Sequence, residues 1–150
     1  MKLQKILSRF LKLHPREIDL SLDRIKNLCR KLGDPQDKIS ALSVVGTNGK
    51  QSTINAIFAI LKEAKIKCNV YTSPHIQRIN ERFIFNNEEL DDNELSILFE
   101  EVEEINKGQP ITFFEMLTAC YYFKAAQYPE NLNIVESGLF HRFDATNILK

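Results

Sequence analysis

The chain has 150 residues, with 20 Lys and Arg against 20 Asp and Glu, and 43% of it is apolar. That length and apolar content suit one domain with one buried core, and a zero formal balance argues against a general nucleic-acid binder or a membrane-surface protein. No apolar run approaches a membrane span, and Cys29, Cys68 and Cys120 lie too far apart for a CxxC frame, so a cytoplasmic protein with reduced, buried thiols is expected.

From Met1 to Leu13 every charge is basic (Lys2, Lys5, Arg9, Lys12), while Leu3, Ile6, Leu7, Phe10 and Leu11 share one helical face. Arg9 and Lys12 interrupt any signal-peptide stretch, and the pattern predicts an amphipathic helix, read as packed on its own domain, with a membrane-seeking helix as the alternative. Ser21 is placed to cap a second helix, with Leu22, Ile25, Leu28, Cys29 and Leu32 inward and Gly33 at its end. Asp34-Pro35 marks a loop. The β-branched run from Ile39 to Val45 stops at Gly46 and predicts a buried strand. Ser52 to Ala64 follows as a helix and Lys67 to Tyr71 as a second strand. Thr72-Ser73-Pro74-His75 opens a loop, and Arg82 to Phe85 is a short strand. Beyond it Glu88, Glu89, Asp91, Asp92, Glu94, Glu100, Glu101, Glu103 and Glu104 surround Leu95, Leu98, Phe99, Val102 and Ile105. They read as one solvated helix face, not a metal site. Thr112 to Gln127 predicts a strong helix and Asn133 to Glu136 a third buried strand. This alternation predicts an α/β fold, a three-layer P-loop-type domain with a mostly parallel sheet.

Chemistry begins at Val44-Val45-Gly46-Thr47-Asn48-Gly49-Lys50-Gln51-Ser52-Thr53. A glycine-containing turn between a strand and a helix lets backbone N–H groups approach phosphate oxygens, and the helix N-terminus adds its dipole. Lys50 is placed to reach the outer phosphates, with the hydroxyls of Ser52 and Thr53 just inside the helix. The general pattern G-x-x-x-x-G-K-[ST] is not met, since Val44 stands at the first glycine and Gln51 follows the lysine.

Gly46 to Lys50 resembles the phosphate loop of the Mur ligase superfamily. Leu32 to Gln36, Thr72 to His75, Asn80-Glu81-Arg82, Thr112 to Glu115 and Glu136 to Asn147 are similar, in order, to the folylpolyglutamate synthase / dihydrofolate synthase branch. The resemblance implies that residues 1–150 are the N-terminal part of a Mur-ligase-type ATP-binding domain, incomplete at its C-terminal end, without the C-terminal domain. It implies ATP and Mg²⁺ as cofactors, with Gly46, Thr47, Asn48, Gly49, Lys50, Ser52 and Thr53 on the nucleotide. Ser52 and Glu136 would ligate the metal, and Lys50 and Glu136 would be catalytic. Ser73, Pro74, His75, Arg82, Phe113, Phe114, Arg142, Asp144 and Ala145 fall on the substrate side. The implied substrates are folate or dihydropteroate and L-glutamate, joined through an acyl phosphate by a full-length monomer with no nucleic-acid or membrane partner.

Other readings of the same residues stay open. Thr112 and Glu115 form a T-x-x-E capping box, Phe113 and Phe114 suit a core, and Asp144 suits a helix cap. Glu136 suits a cap or a salt bridge, and a lone loop histidine such as His75 is ordinarily solvated. Gln51, Ser137 and Phe140-His141 depart from the family pattern, the last pair standing where two glycines are usual. A nucleotide-binding or pseudoenzyme module without ligase activity is the alternative.

Overall fold

A computed structural model describes residues 2–15, 20–138 and 143–149. Helix α1 (Lys2–Lys12) is followed by α2 (Asp23–Lys31), strand β1 (Ser40–Val44), α3 (Lys50–Glu63) and β2 (Cys68–Tyr71). Strands β3 (Phe83–Phe85) and β4 (Glu88–Glu89), helices α4 (Asp92–Asn106) and α5 (Phe113–Ala125) and strand β5 (Leu132–Glu136) complete the order. The sheet runs β1-β5-β2-β3-β4, so the last strand in sequence is inserted between the first two. β5 is parallel to both neighbours, with Val44 beside Glu136 and Val70 beside Ile134, while β3 and β4 add an antiparallel hairpin at one edge.

Successive strand residues face opposite sides, and that alternation divides the interior in two. Val70 and Ile134 face α3 and meet Ile54. Tyr71 and Val135 face the opposite layer, where Ile6, Phe10, Leu28, Phe99 and Tyr121 from α1, α2, α4 and α5 form the main core. The helices thus lie on both sides of the sheet, giving the expected three layers. The three cysteines are buried and free, as expected, and burial pushes the Cys29 thiol up to about 12.

One strand departs from the sequence reading. β1 forms where the Ile39–Val45 run predicts it, but its residues are exposed or half-buried, with Leu42 42% and the following Val45 56% accessible. β5 enters between β1 and β2 and is parallel to both, and β1, paired with β5 alone, is left at the edge. At α2, Leu22 rather than Ser21 occupies the cap position, and Ser21 Oγ accepts from Asp23 N at 3.4 Å.

The basic α1 and the acidic α4 pack against each other. Arg9 Nε donates to Glu103 Oε1 at 2.8 Å, and Lys2 Nζ lies 2.7 Å from Glu100 Oε2. These contacts place α1 on its own domain; among the described residues no helix is long and apolar enough to cross a membrane. Near the start of the parallel strands a buried amide network joins them. Asn69 Nδ2 donates to Asn133 Oδ1 at 3.0 Å, Tyr121 OH donates to the same oxygen at 2.9 Å, and Asn133 Nδ2 reaches the Ser40 carbonyl at 3.1 Å. A fully satisfied network allows asparagine at buried strand positions that would otherwise be costly.

Candidate functional site

The loops that follow β1, β2 and β5 meet at the C-terminal ends of the parallel strands, where open α/β sheets place ligands. After β1 the backbone turns through Gly46 (φ 149°) and Gly49 (φ 78°), both outside the range that side chains favour. Gly49 occupies the cap of α3, and its carbonyl accepts from both the N–H and the hydroxyl of Thr53 at 3.0 Å. Lys50 is the first residue of the 14-residue helix, whose first turn carries no acid. Its Nζ donates to the Gly46 carbonyl at 2.9 Å and lies 3.8 Å from Glu136 Oε1. Residues 46 to 49 are exposed, as is Ser52. Gln51 is already helical and exposed, and its amide reaches Asn55 Oδ1 at 3.4 Å, so the missing glycine costs no left-handed conformation.

Glu136, the last residue of β5, is 4% exposed. A buried carboxylate requires partners, and here Oε2 accepts the Ser73 N–H at 2.9 Å while Oε1 faces Lys50. One side chain therefore ties the loop after β2 to the start of α3. The segment from Ser73 to Arg82 is itself braced. The Glu81 carboxylate accepts from the backbone N–H groups of Ile76, Gln77 and Arg78 at 2.8, 2.9 and 2.8 Å, which hold its carboxyl below the ordinary range. Arg82 Nε donates to His75 Nδ1 at 2.9 Å. Partial burial, and then the Arg82 charge, push the His75 imidazole down. Arg82 is pushed down by burial, opposed by the fields of Tyr71 and Glu136. Lys50, Glu136 and Ser73 thus form one connected set, and His75 with Arg82 lies further along the same loop, Arg82 within the field of Glu136.

The remaining substrate-side positions lie at the start of α5 and around the 3₁₀ turn Ala145–Ile148. Thr112 Oγ1 accepts the Glu115 N–H at 3.2 Å, and Glu115 Oε2 accepts the Thr112 N–H at 2.8 Å. The T-x-x-E box is therefore a reciprocal cap. Glu115 also accepts from Arg24 Nε of α2 at 3.0 Å, a partner that a local motif does not reveal. Phe113 and Phe114 are half-buried against the main core, and the Phe114 ring stacks on Tyr71 at 6.2 Å. Asp144 Oδ1 accepts the Thr146 N–H at 3.0 Å and also the Thr146 hydroxyl, capping the turn that buries Ala145. A Cβ at Gly138 would stand 2.5 Å from Asp144 Oδ2, so the carboxylate needs a glycine there. The departing Ser137 is satisfied, its hydroxyl 3.1 Å from both Ser43 Oγ and Thr146 Oγ1. Arg142, Phe140 and His141 lie outside the described residues.

Among the described residues no three His, Cys, Asp or Glu side chains converge on a metal-sized site. The donors present are all oxygen, an exposed Ser52 hydroxyl and the Glu136 carboxylate at the ends of neighbouring elements. That set fits a hard cation whose remaining ligands are phosphate oxygens and water. Two residues that sequence reasoning left without a role, Glu81 and Gly138, shape the site. Their signals were an acid three residues after the loop's last free N–H and a glycine just past a strand.

Comparison with known proteins adds the following. No family model matches the chain. It is 39% identical over 137 residues, 86% of its length, to the dihydrofolate synthase/folylpolyglutamate synthase of Bacillus subtilis, and spans 32% of that protein. The E. coli FolC structure in complex with DHPP and ADP aligns over 98% of this chain and 36% of its own, with TM-score 0.88 and 34% identity. The Yersinia pestis bifunctional folylpolyglutamate synthase/dihydrofolate synthase with Mn, AMPPNP and L-glutamate bound aligns over the same fractions, with TM-score 0.89 and 34% identity. The chain therefore spans about a third of the length of the relatives it matches.

Proposed function

This chain belongs with the dihydrofolate synthase/folylpolyglutamate synthases, of which it spans about a third, and on that premise we propose that it carries the nucleotide loop and part of the substrate side of an ATP-dependent ligase. The reaction adds L-glutamate to a folate or dihydropteroate carboxylate, in the cytoplasm. The observation that carries this reading is Lys50 Nζ 3.8 Å from a buried Glu136 carboxylate, beside a glycine turn at the head of three parallel strands.

The Gly46 to Gly49 backbone and the α3 N-terminus bind ATP phosphates, and Lys50 leaves the Gly46 carbonyl to pair with the outer ones. Ser52 and Glu136 would hold Mg²⁺, which when bound draws off phosphate charge. The substrate carboxylate oxygen attacks the γ-phosphorus, the bond to ADP breaks, and an acyl phosphate results. Lys50 stabilises the charge on the transferred group from a fixed position. The glutamate amine then attacks the acyl carbon, loses a proton, and phosphate leaves with the C–O electron pair. Ser73 to Arg82 stands between the nucleotide and substrate sides. Phe113, Phe114, Asp144 and Ala145 line the pterin.

Calorimetric titration of the chain with Mg·ATP tests the reading. Binding is expected, weakened about 10- to 100-fold by Lys50→Ala, the loss of one or two charged hydrogen bonds. No binding by the wild-type chain sinks it. The intact mass of the natural protein from its source, followed by an ATP-dependent glutamate-addition assay on it, then tests the ligase step.

A further inference from the structure

A cleft of about 660 Å³ lies away from the glycine turn, between α2 and the turn that joins α4 to α5. Arg24, Asn27, Arg30 and Lys31 form its helical wall, and Asn106 and Gln109 face them. Among the described residues that line it there is no aspartate or glutamate. Basic residues in the last turn of a helix are explained in part by its dipole. The dipole does not account for the wall opposite.

That wall is built in place. The Gln109 N–H donates to the Asn106 carbonyl at 3.2 Å, the buried Asn106 amide donates to the Gln109 carbonyl at 2.9 Å, and the Ile111 N–H donates to the Leu13 carbonyl at 3.0 Å. Across the cleft Glu115 fixes Arg24, and Asn27 Oδ1 accepts from Arg30 Nη1 at 2.9 Å. Two guanidinium groups, one ammonium and amide donors, spaced along two turns of helix, match a ligand that carries several separated carboxylates. The Arg24–Glu115–Thr112 bonds lead from this cleft to the head of α5, where Phe113 and Phe114 lie.

We propose that this cleft is a second anion site, taking a short γ-linked glutamate chain by its side carboxylates; the identification with that chain rests on the ligase reading above. Nuclear magnetic resonance titration of the chain with N-acetyl-tri-γ-glutamate at low salt tests it, with its neutral tetraamide and tripolyphosphate as comparison ligands. The expected result is binding of the tetraacid, with shifts at Asn27, Arg30, Lys31 and Gln109. Arg30→Glu with Lys31→Glu should weaken it at least tenfold, while Lys62→Glu on α3 leaves it unchanged. If the double variant unfolds, Arg30→Gln and Lys31→Gln singly serve the same purpose. Equal binding of the tetraamide, or equal loss in Lys62→Glu, would overturn the site, and tripolyphosphate binding as tightly would overturn the carboxylate assignment. Mg·ADP titrated into the same proteins separates the two readings. Failure of the wild type to bind ADP removes the ligase reading alone, whereas absence of tetraacid binding with ADP binding retained removes only the cleft.

Discussion

The two faces of the sheet are built unequally. Toward α1, α2, α4 and α5 the strands meet a core with Tyr71, Phe83, Phe99 and Tyr121 in mutual ring contact. Toward α3 the buried apolar cluster among the described residues is small, formed by Ile54, Val70 and Ile134, and Ile60 of α3 is 68% exposed. The loops follow the same division. The segment after β2 is held by the Glu81 carboxylate and the His75–Arg82 bond, whereas the turn after β1 is exposed and is held by Lys50 on the Gly46 carbonyl and Thr53 on the Gly49 carbonyl. Packing on one face holds the strands in register, and the groups with few internal partners on the other are the ones open to a ligand.

Truncation on the thick face should be the most damaging change. Phe99 touches Phe10 and Phe83, and Phe99→Ala is expected to cost about 3–5 kcal/mol in urea unfolding. Ile54→Ala, on the thin face, should cost about 2–3 kcal/mol because its half-buried neighbours can settle into the space. An Ile54→Ala loss equal to that of Phe99→Ala would erase the contrast between the faces. Ile60→Ala should lie within about 0.5 kcal/mol of wild type.

The braced loop offers a smaller, pH-dependent test. The folded state holds His75 below its ordinary 6.5, so the unfolded chain takes up the proton first. Stability should therefore fall as the pH drops through 6.5 toward the folded value, with Glu81 still ionised because its own shift lies below the ordinary carboxylate range. The urea midpoint of wild type, compared with His75→Asn between pH 7.5 and 5.5, checks this, and parallel curves would remove the His75–Arg82 bond from the account. A small effect is also expected at Arg9→Ala, at most about 1 kcal/mol, because the pair with Glu103 is partly exposed. Its stability difference should shrink further in high salt.

Much of the fold was legible because its signals are local. The 3.6-residue stripe of Leu3, Ile6, Leu7 and Phe10, the Thr112–Glu115 box and the glycine stop at Gly46 each act over a few residues. The hairpin of β3 and β4 was missed in part, although Asn86 and Asn87 both take positive φ and the Asn-Asn pair is a signal for such a turn. Edge or centre was not legible for β1, since a run such as Ser-Ala-Leu-Ser-Val is the same sequence in either position. Pairing over some ninety residues, Val44 with Glu136, decides it.

The sequence by itself determined the order of the main helices and strands, the glycine turn with its lysine, and the capping of α5, because each depends on backbone preferences and neighbours within a helical turn. Tertiary structure alone decided that β5 would enter between β1 and β2, that Glu136 would hold Ser73 while facing Lys50, and that Arg24 would fix Glu115 beside a basic cleft. Those contacts join residues far apart in the chain. They exist only once burial of the apolar faces has fixed which strands and helices are neighbours.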